Sequence, residues 1–186
     1  MSTGMLLAII IAIVVVLALA AVAVSLMMRR RRHLRERFGP EYERTVEDSD
    51  SRRTAERELR EREKRHDALD IKPLPSVSRD RYTQEWSSVQ QEFLDRPQDA
   101  VHDADQLVTS LMHDRGYPTE GFDQQMKDLS VEHGRTLEHY RAAHEVESLS
   151  TRSQATTEQL RGAMVHYRTL FDELLSDGGR AQPARS

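Results

Sequence analysis

The chain has 186 residues, 31% of them charged, no cysteine and a formal net charge of −4. Lack of cysteine excludes a disulfide framework, a thiol nucleophile and any Cys-ligated zinc or iron–sulfur site, and it suits a reducing compartment. The charge is unevenly divided: residues 29–72 carry 15 basic and 12 acidic side chains, whereas residues 73–186 carry 12 and 19. The acidic distal part lacks the positive face that phosphate neutralisation needs, so no nucleic-acid partner is expected.

From Met5 to Met28 the chain runs 24 residues without a charge, and Arg29, Arg30, Arg31 and Arg32 follow at once. At about 1.5 Å per residue this stretch crosses a hydrocarbon core of about 30 Å. In lipid a helix satisfies every backbone group internally, so a transmembrane helix is expected over residues 5–28. Ala18-Leu19-Ala20 and Ala21-Val22-Ala23 supply the small-x-small pattern of a cleaved signal peptide. Against that reading, Met1–Gly4 holds no basic residue, the apolar run exceeds an ordinary signal core, and the arginines behind it oppose translocation. An uncleaved anchor is therefore expected.

Six arginines, Arg29, Arg30, Arg31, Arg32, Arg35 and Arg37, stand within nine residues and are opposed there only by Glu36. The positive-inside rule then assigns residues 1–4 to the outside and the rest to the cytoplasm of a plasma membrane crossed once. The same six arginines, a basic juxtamembrane segment over residues 29–39, suit contact with anionic headgroups.

Residues 40–70 are very polar and interleaved in charge. Glu56–Arg60, Glu58–Arg62 and Glu61–Arg65 are i,i+4 pairs in the favourable order. The apolar positions Tyr42, Val46, Ala55, Leu59, Ala68 and Leu69 sustain no heptad, which disfavours a coiled coil and predicts a solvated helical stalk, broken near Asp48–Ser51. Pro73 and Pro75 predict an extended linker over residues 71–77.

The spacing beyond it turns helical. Tyr82, Trp86, Val89 and Phe93 share one face of a helix starting near Ser78. Pro97 opens a second, striped by Val101, Ala104, Leu107, Val108, Leu111 and Met112 and ended by Gly116-Tyr117-Pro118. Phe122, Met126 and Leu129 mark a third; Leu137, Tyr140, Ala143 and Leu149 a fourth. Leu160, Met164, Tyr167, Leu170, Phe171, Leu174 and Leu175 line the last, which Gly178-Gly179 ends, with residues 178–186 expected as a disordered tail. No stretch alternates with period two, so the expected fold is all-α: one transmembrane helix, a charged stalk and a small cytoplasmic helical bundle over residues 78–177, with Trp86 as a core anchor.

Chemistry is harder to find. No HExxH, GxSxG, Walker-type loop or GxGxxG occurs, so neither a catalytic nor a cofactor site is expected. The histidines (His33, His66, His102, His113, His133, His139, His144 and His166) show no metal-ligand spacing. Asp99-x-x-His102 and Glu63-x-x-His66 match half of a di-iron motif, without the facing glutamates such sites need. Solvated or locally hydrogen-bonded histidines, and no metal, are the expectation.

Leu34-Arg35-Glu36-Arg37-Phe38-Gly39-Pro40-Glu41-Tyr42, Ala55-Glu56-Arg57-Glu58-Leu59 and Arg115-Gly116-Tyr117-Pro118 resemble uncharacterised membrane-anchored proteins of high-GC actinobacteria. The resemblance covers the cytoplasmic part and implies one N-terminal span and a polar helical region, with no activity attached. The expected function is a membrane-tethered interaction or scaffold module that binds a cytoplasmic protein or a second copy. A metal- or ligand-binding sensor or enzyme, with its site in the bundle, is the alternative, and a purely structural role in the envelope is a third.

Overall fold

The computed structural model describes residues 3–176. Eight helices and no strand occur among them: α1 (Thr3–Phe38), α2 (Pro40–Glu47), α3 (Arg52–His66), α4 (Ser76–Glu92), α5 (Pro97–Asp114), α6 (Phe122–His133), α7 (Leu137–Thr151) and α8 (Thr157–Ser176). The fold is all-α, as the periodicity predicts. The expected glycine stop and tail over residues 178–186 lie outside the described residues.

α1 runs 36 residues without a break, about 54 Å at the helical rise. Its side chains from Ile11 to Met28 are exposed, and the stretch is long and apolar enough to cross a membrane. The basic segment expected as a separate element is the last part of this same helix. It is no simple solvated arm, because Leu34 and Phe38 are buried at 2% and 0% exposure.

What buries them is the segment expected to stand off as a stalk. Gly39, at a φ of 55°, reverses the chain in a conformation that side chains with a Cβ rarely adopt. Pro40 then starts α2 at the first helical position, where its missing N–H costs nothing. α2 runs back along α1, and α3 turns again beside it, capped by the Ser51 hydroxyl accepting from the Thr54 N–H at 3.2 Å. Leu34, Phe38, Tyr42, Leu59 and Val131 close into one apolar cluster drawn from α1, α2, α3 and α6.

Residues 40–70 therefore form a packed helical hairpin rather than a free rod. The cause is apolar burial: each large side chain removed from water contributes about 1.5–3 kcal/mol, against a few tenths for each exposed i,i+4 pair. Of the three expected pairs only Glu58–Arg62 forms, at 2.6 Å. Glu56 turns to Arg31 and Tyr42 instead, and Arg65 to Asp128.

The linker is also docked. Leu74 is buried, and the Lys72 N–H donates to the Arg115 carbonyl at 2.8 Å. Helices α4, α5, α7 and α8 enclose the main core, in which Trp86 stacks on Phe171 with centroids 4.7 Å apart. α6 joins the two clusters: Met126 and Leu129 belong to the main core and Val131 to the seam around α1. A Cβ added at Gly134 would lie 2.2 Å from the Phe38 carbonyl oxygen, so backbone meets backbone where α6 ends against α1.

Leu59→Ala is expected to destabilise the fold by about 2–5 kcal/mol, because it opens a cavity in the seam. Leu94→Ala, at a side chain 83% exposed, is expected to change stability by less than about 0.5 kcal/mol. Urea unfolding of the full chain in detergent, followed by circular dichroism, compares the two; equal small effects would restore the solvated-stalk picture.

Candidate functional site

The six juxtamembrane arginines divide into two groups. Four are engaged by carboxylates: Arg31 with Glu56 at 3.0 Å, Arg32 with Glu36 at 2.8 Å, Arg35 with Glu43 at 2.9 Å, and Arg37 with Asp67 at 2.8 Å and Glu63 at 3.4 Å. Arg35 also lies over the Tyr42 ring, 5.2 Å from its centroid. Three of these partners belong to α3 or the turn just beyond it, so these charges hold the hairpin against α1. Among the described residues Arg29 and Arg30 pair with no carboxylate.

A polar layer behind the seam contains the buried histidines. The Tyr117 hydroxyl lies 3.2 Å from His133 Nε2, and His133 Nδ1 lies 2.8 Å from Glu173. His133 is wholly buried, so this carboxylate–imidazole–phenol chain is an internal strut between α6, α8 and the loop after α5. His66, 5% exposed, sits beside it with ring centroids 6.1 Å from Tyr117, and neither of its ring nitrogens has a hydrogen-bond partner. Burial pushes the His66 pKa below its ordinary value of 6.5, helped by Arg37, while Glu132 and Asp67 at 3.9 and 3.8 Å pull the other way. The expectation of solvated or locally hydrogen-bonded histidines fails at His66, which is buried without a hydrogen-bond partner, whereas His133 is buried but hydrogen-bonded.

A groove of about 750 Å³ opens next to this layer, between the end of α1 and the ends of α6 and α8. Glu36, Glu132, Asp172 and Glu173 face Arg37 and Arg135 across it. Both signs are present, and the groove holds no convergent set of donors aimed at one ligand.

Two more histidine arrangements involve α7. His139 of α7 and His166 of α8 approach with Nδ1 atoms 2.9 Å apart and rings stacked at 5.0 Å. Burial and the neighbouring His139 push the His166 pKa down. His144 stacks on Phe122 with centroids 3.8 Å apart and faces Asp105 at 3.5 Å. The hydrogen-bonding carboxylate of Asp105 raises the His144 pKa, and the same carboxylate accepts from the Tyr167 hydroxyl at 2.9 Å.

Both pairs join residues 27 or more positions apart, on different helices, so spacing along one helix could not reveal them. The two motifs singled out for a metal do not assemble. Glu63 serves His33 and Arg37, and His102 lies beside Glu147 and Gln106. Among the described residues no group of three or more His, Asp or Glu side chains has the arrangement to hold a metal ion.

Comparison with protein-family models, with curated proteins and with solved structures returns no match.

His66 and His144 have opposite linkage. His66 is held neutral by burial, so its contribution to stability is complete above the unfolded value of 6.5 and is lost as pH falls through 6.5 towards the lower folded value. His144 gains a partner, so its contribution is complete below 6.5 and is lost as pH rises through the raised folded value. Urea midpoints at about pH 7.5 and about pH 5.5 should show that His66→Gln reduces the acid-side loss and His144→Gln enlarges it. The same slope in both variants would remove these two groups from the pH response.

Proposed function

We propose that the chain is a single-pass membrane protein whose helical domain is held directly at the cytoplasmic face of the bilayer as an interaction or scaffold module. One observation carries this reading: α1 passes without a break from a lipid-like exposed apolar surface into the buried seam of the domain. A continuous run of exposed Ile, Val, Leu and Met is unfavourable in water and favourable in hydrocarbon. The arginines at its C-terminal end favour the cytoplasm for residues 29–176. Because Leu34 is already buried by the domain, the domain stands within about two helical turns of the membrane edge, and the stalk drops out of the architecture. An anchor of this kind confines a partner, or a second copy, to the membrane surface and gives it a fixed orientation.

The chain should resist extraction by alkaline carbonate. As it has no cysteine of its own, a single Val77→Cys variant gives a clean probe of sidedness at a side chain 78% exposed. An impermeant maleimide is expected to label it only after intact cells are permeabilised. Labelling before permeabilisation would reverse the orientation. For the module itself, crosslinking of the full chain in membranes should return a stoichiometric partner or a homodimer, and a monomer with no partner would count against it.

A second reading, a metal-binding sensor, is favoured by His139 and His166 alone. Two imidazole nitrogens 2.9 Å apart match the spacing of adjacent ligands on an ion with metal–nitrogen bonds of about 2.0–2.1 Å. That separation sets the two ligands at about 90°, the geometry of copper(II) or nickel(II) rather than of tetrahedral zinc. Titration of the full chain in detergent with copper(II), read by electron paramagnetic resonance, is expected to give a nitrogen-coordinated signal that His166→Ala abolishes. An unchanged signal in that variant would end this reading.

A further inference from the structure

The paired residues along α1 and α3 advance together. Arg31 meets Glu56, Leu34 and Phe38 share a cluster with Leu59, and Arg37 reaches Glu63 and, just past the helix, Asp67. The two helices therefore run parallel, and position along one gives position along the other. Arg52 and Arg53 precede Glu56 by about one turn, roughly 5 Å of rise. That puts them level with Met27 and Met28, where the uncharged run of α1 ends.

The charge at this level is not neutralised within the domain. The inward acids of α3 are taken: Glu56 by Arg31, Glu58 by Arg62 and Lys127, Glu63 by His33 and Arg37. Arg52 and Arg53 are exposed, and among the described residues no carboxylate pairs with them or with Arg29 and Arg30. The turn from α2 to α3 adds Asp48, which faces Arg44 at 3.8 Å, and Glu47 and Asp50, both exposed and without an ion pair among the described residues, so four arginines stand against two free carboxylates. Four unpaired guanidinium groups from two helices thus ring the point at which the apolar helix enters the domain.

We infer that the α2–α3 turn is a headgroup-docking device, in which Arg52 and Arg53 join Arg29 and Arg30 in binding the phosphates of anionic lipids around α1. This rests on the reading of α1 as a membrane span. Its occupant follows from continuity with that span, because lipid headgroups are what lie beside the end of a transmembrane helix. Guanidinium forks match phosphate oxygens in pairs. Docking at a second point, off the axis of α1, fixes the rotation of the domain about its anchor, which one helix alone leaves free.

The full chain, reconstituted in nanodiscs of phosphatidylcholine with or without phosphatidylglycerol, tests this. A fluorophore on Asp50→Cys or on Glu61→Cys, farther along α3, reports proximity to nitroxide-labelled lipid headgroups. Quenching is expected at position 50 and not at 61, stronger with anionic lipid. The double variant Arg52→Gln/Arg53→Gln should weaken the anionic preference about fivefold per arginine. If the chain fails to float with lipid, the span itself is wrong. Flotation with equal quenching at both positions, or with none at position 50, overturns the docking, and so does an anionic preference that the double variant leaves intact.

Discussion

The structure depends on five apolar side chains, Leu34, Phe38, Tyr42, Leu59 and Val131, that meet across four helices. Without that seam, α2 and α3 would have little to hold them against α1, since their sequences are among the most polar in the chain. Their ion pairs are mostly half-exposed, and such pairs contribute about 0–1 kcal/mol each. The seam provides the larger part, and the charges then decide which faces turn inward. Glu56 illustrates the order of events: it leaves a favourable helical spacing to Arg60 and turns to Arg31 and the Tyr42 hydroxyl, where it is 8% exposed. A carboxylate in such a place gains strength from reduced solvent screening, provided its partners are there.

Turning the acids inward has a second effect on α3. The helix carries seven basic and four acidic residues along its sequence, and its exposed stripe, Arg53, Arg57, Arg60 and Lys64, is more one-sided still, with Glu61 as its acidic member. Net charge by segment hides this, because it sums over faces that see different surroundings. The basic excess expected of residues 29–72 is therefore concentrated on one exposed face of α3, while four of the six arginines at the end of α1 are engaged by carboxylates.

The helices of the main bundle were legible in the sequence for a physical reason. Tyr82, Trp86 and Val89, or Leu160, Met164, Tyr167, Leu170, Phe171 and Leu174, each form a stripe long enough for its period to show within one element. The seam could not be read in that way. It takes two residues from α1 and one each from α2, α3 and α6, and one or two apolar residues in a charged helix have no period. The same limit hides His139–His166 and Asp105–His144, whose partners meet only through the packing of α7 on α8 and of α5 on α7. The burial of His66 is hidden in the same way, because it depends on α3 packing on its neighbours. One unread contact between α1 and α3 thus accounts for several separate differences.

α6 settles whether α1 and the bundle move independently. It ends against the Phe38 carbonyl at Gly134, contributes Val131 to the seam and Met126 and Leu129 to the main core. Asp128, wholly buried, accepts from Arg65 of α3 and Gln124 of its own helix, both at 3.0 Å. Arg62 and Arg141 meet on Glu41, tying α3, α2 and α7 through one buried carboxylate. A hinge between α1 and the bundle would have to draw Val131 out of the seam and break the Asp128–Arg65 and Glu41–Arg141 pairs, exposing apolar surface to water. Rotation of the domain about α1 is thereby transmitted to the bundle as a whole, so a surface presented by α4, α5 or α8 keeps a constant angle to the helix that holds it.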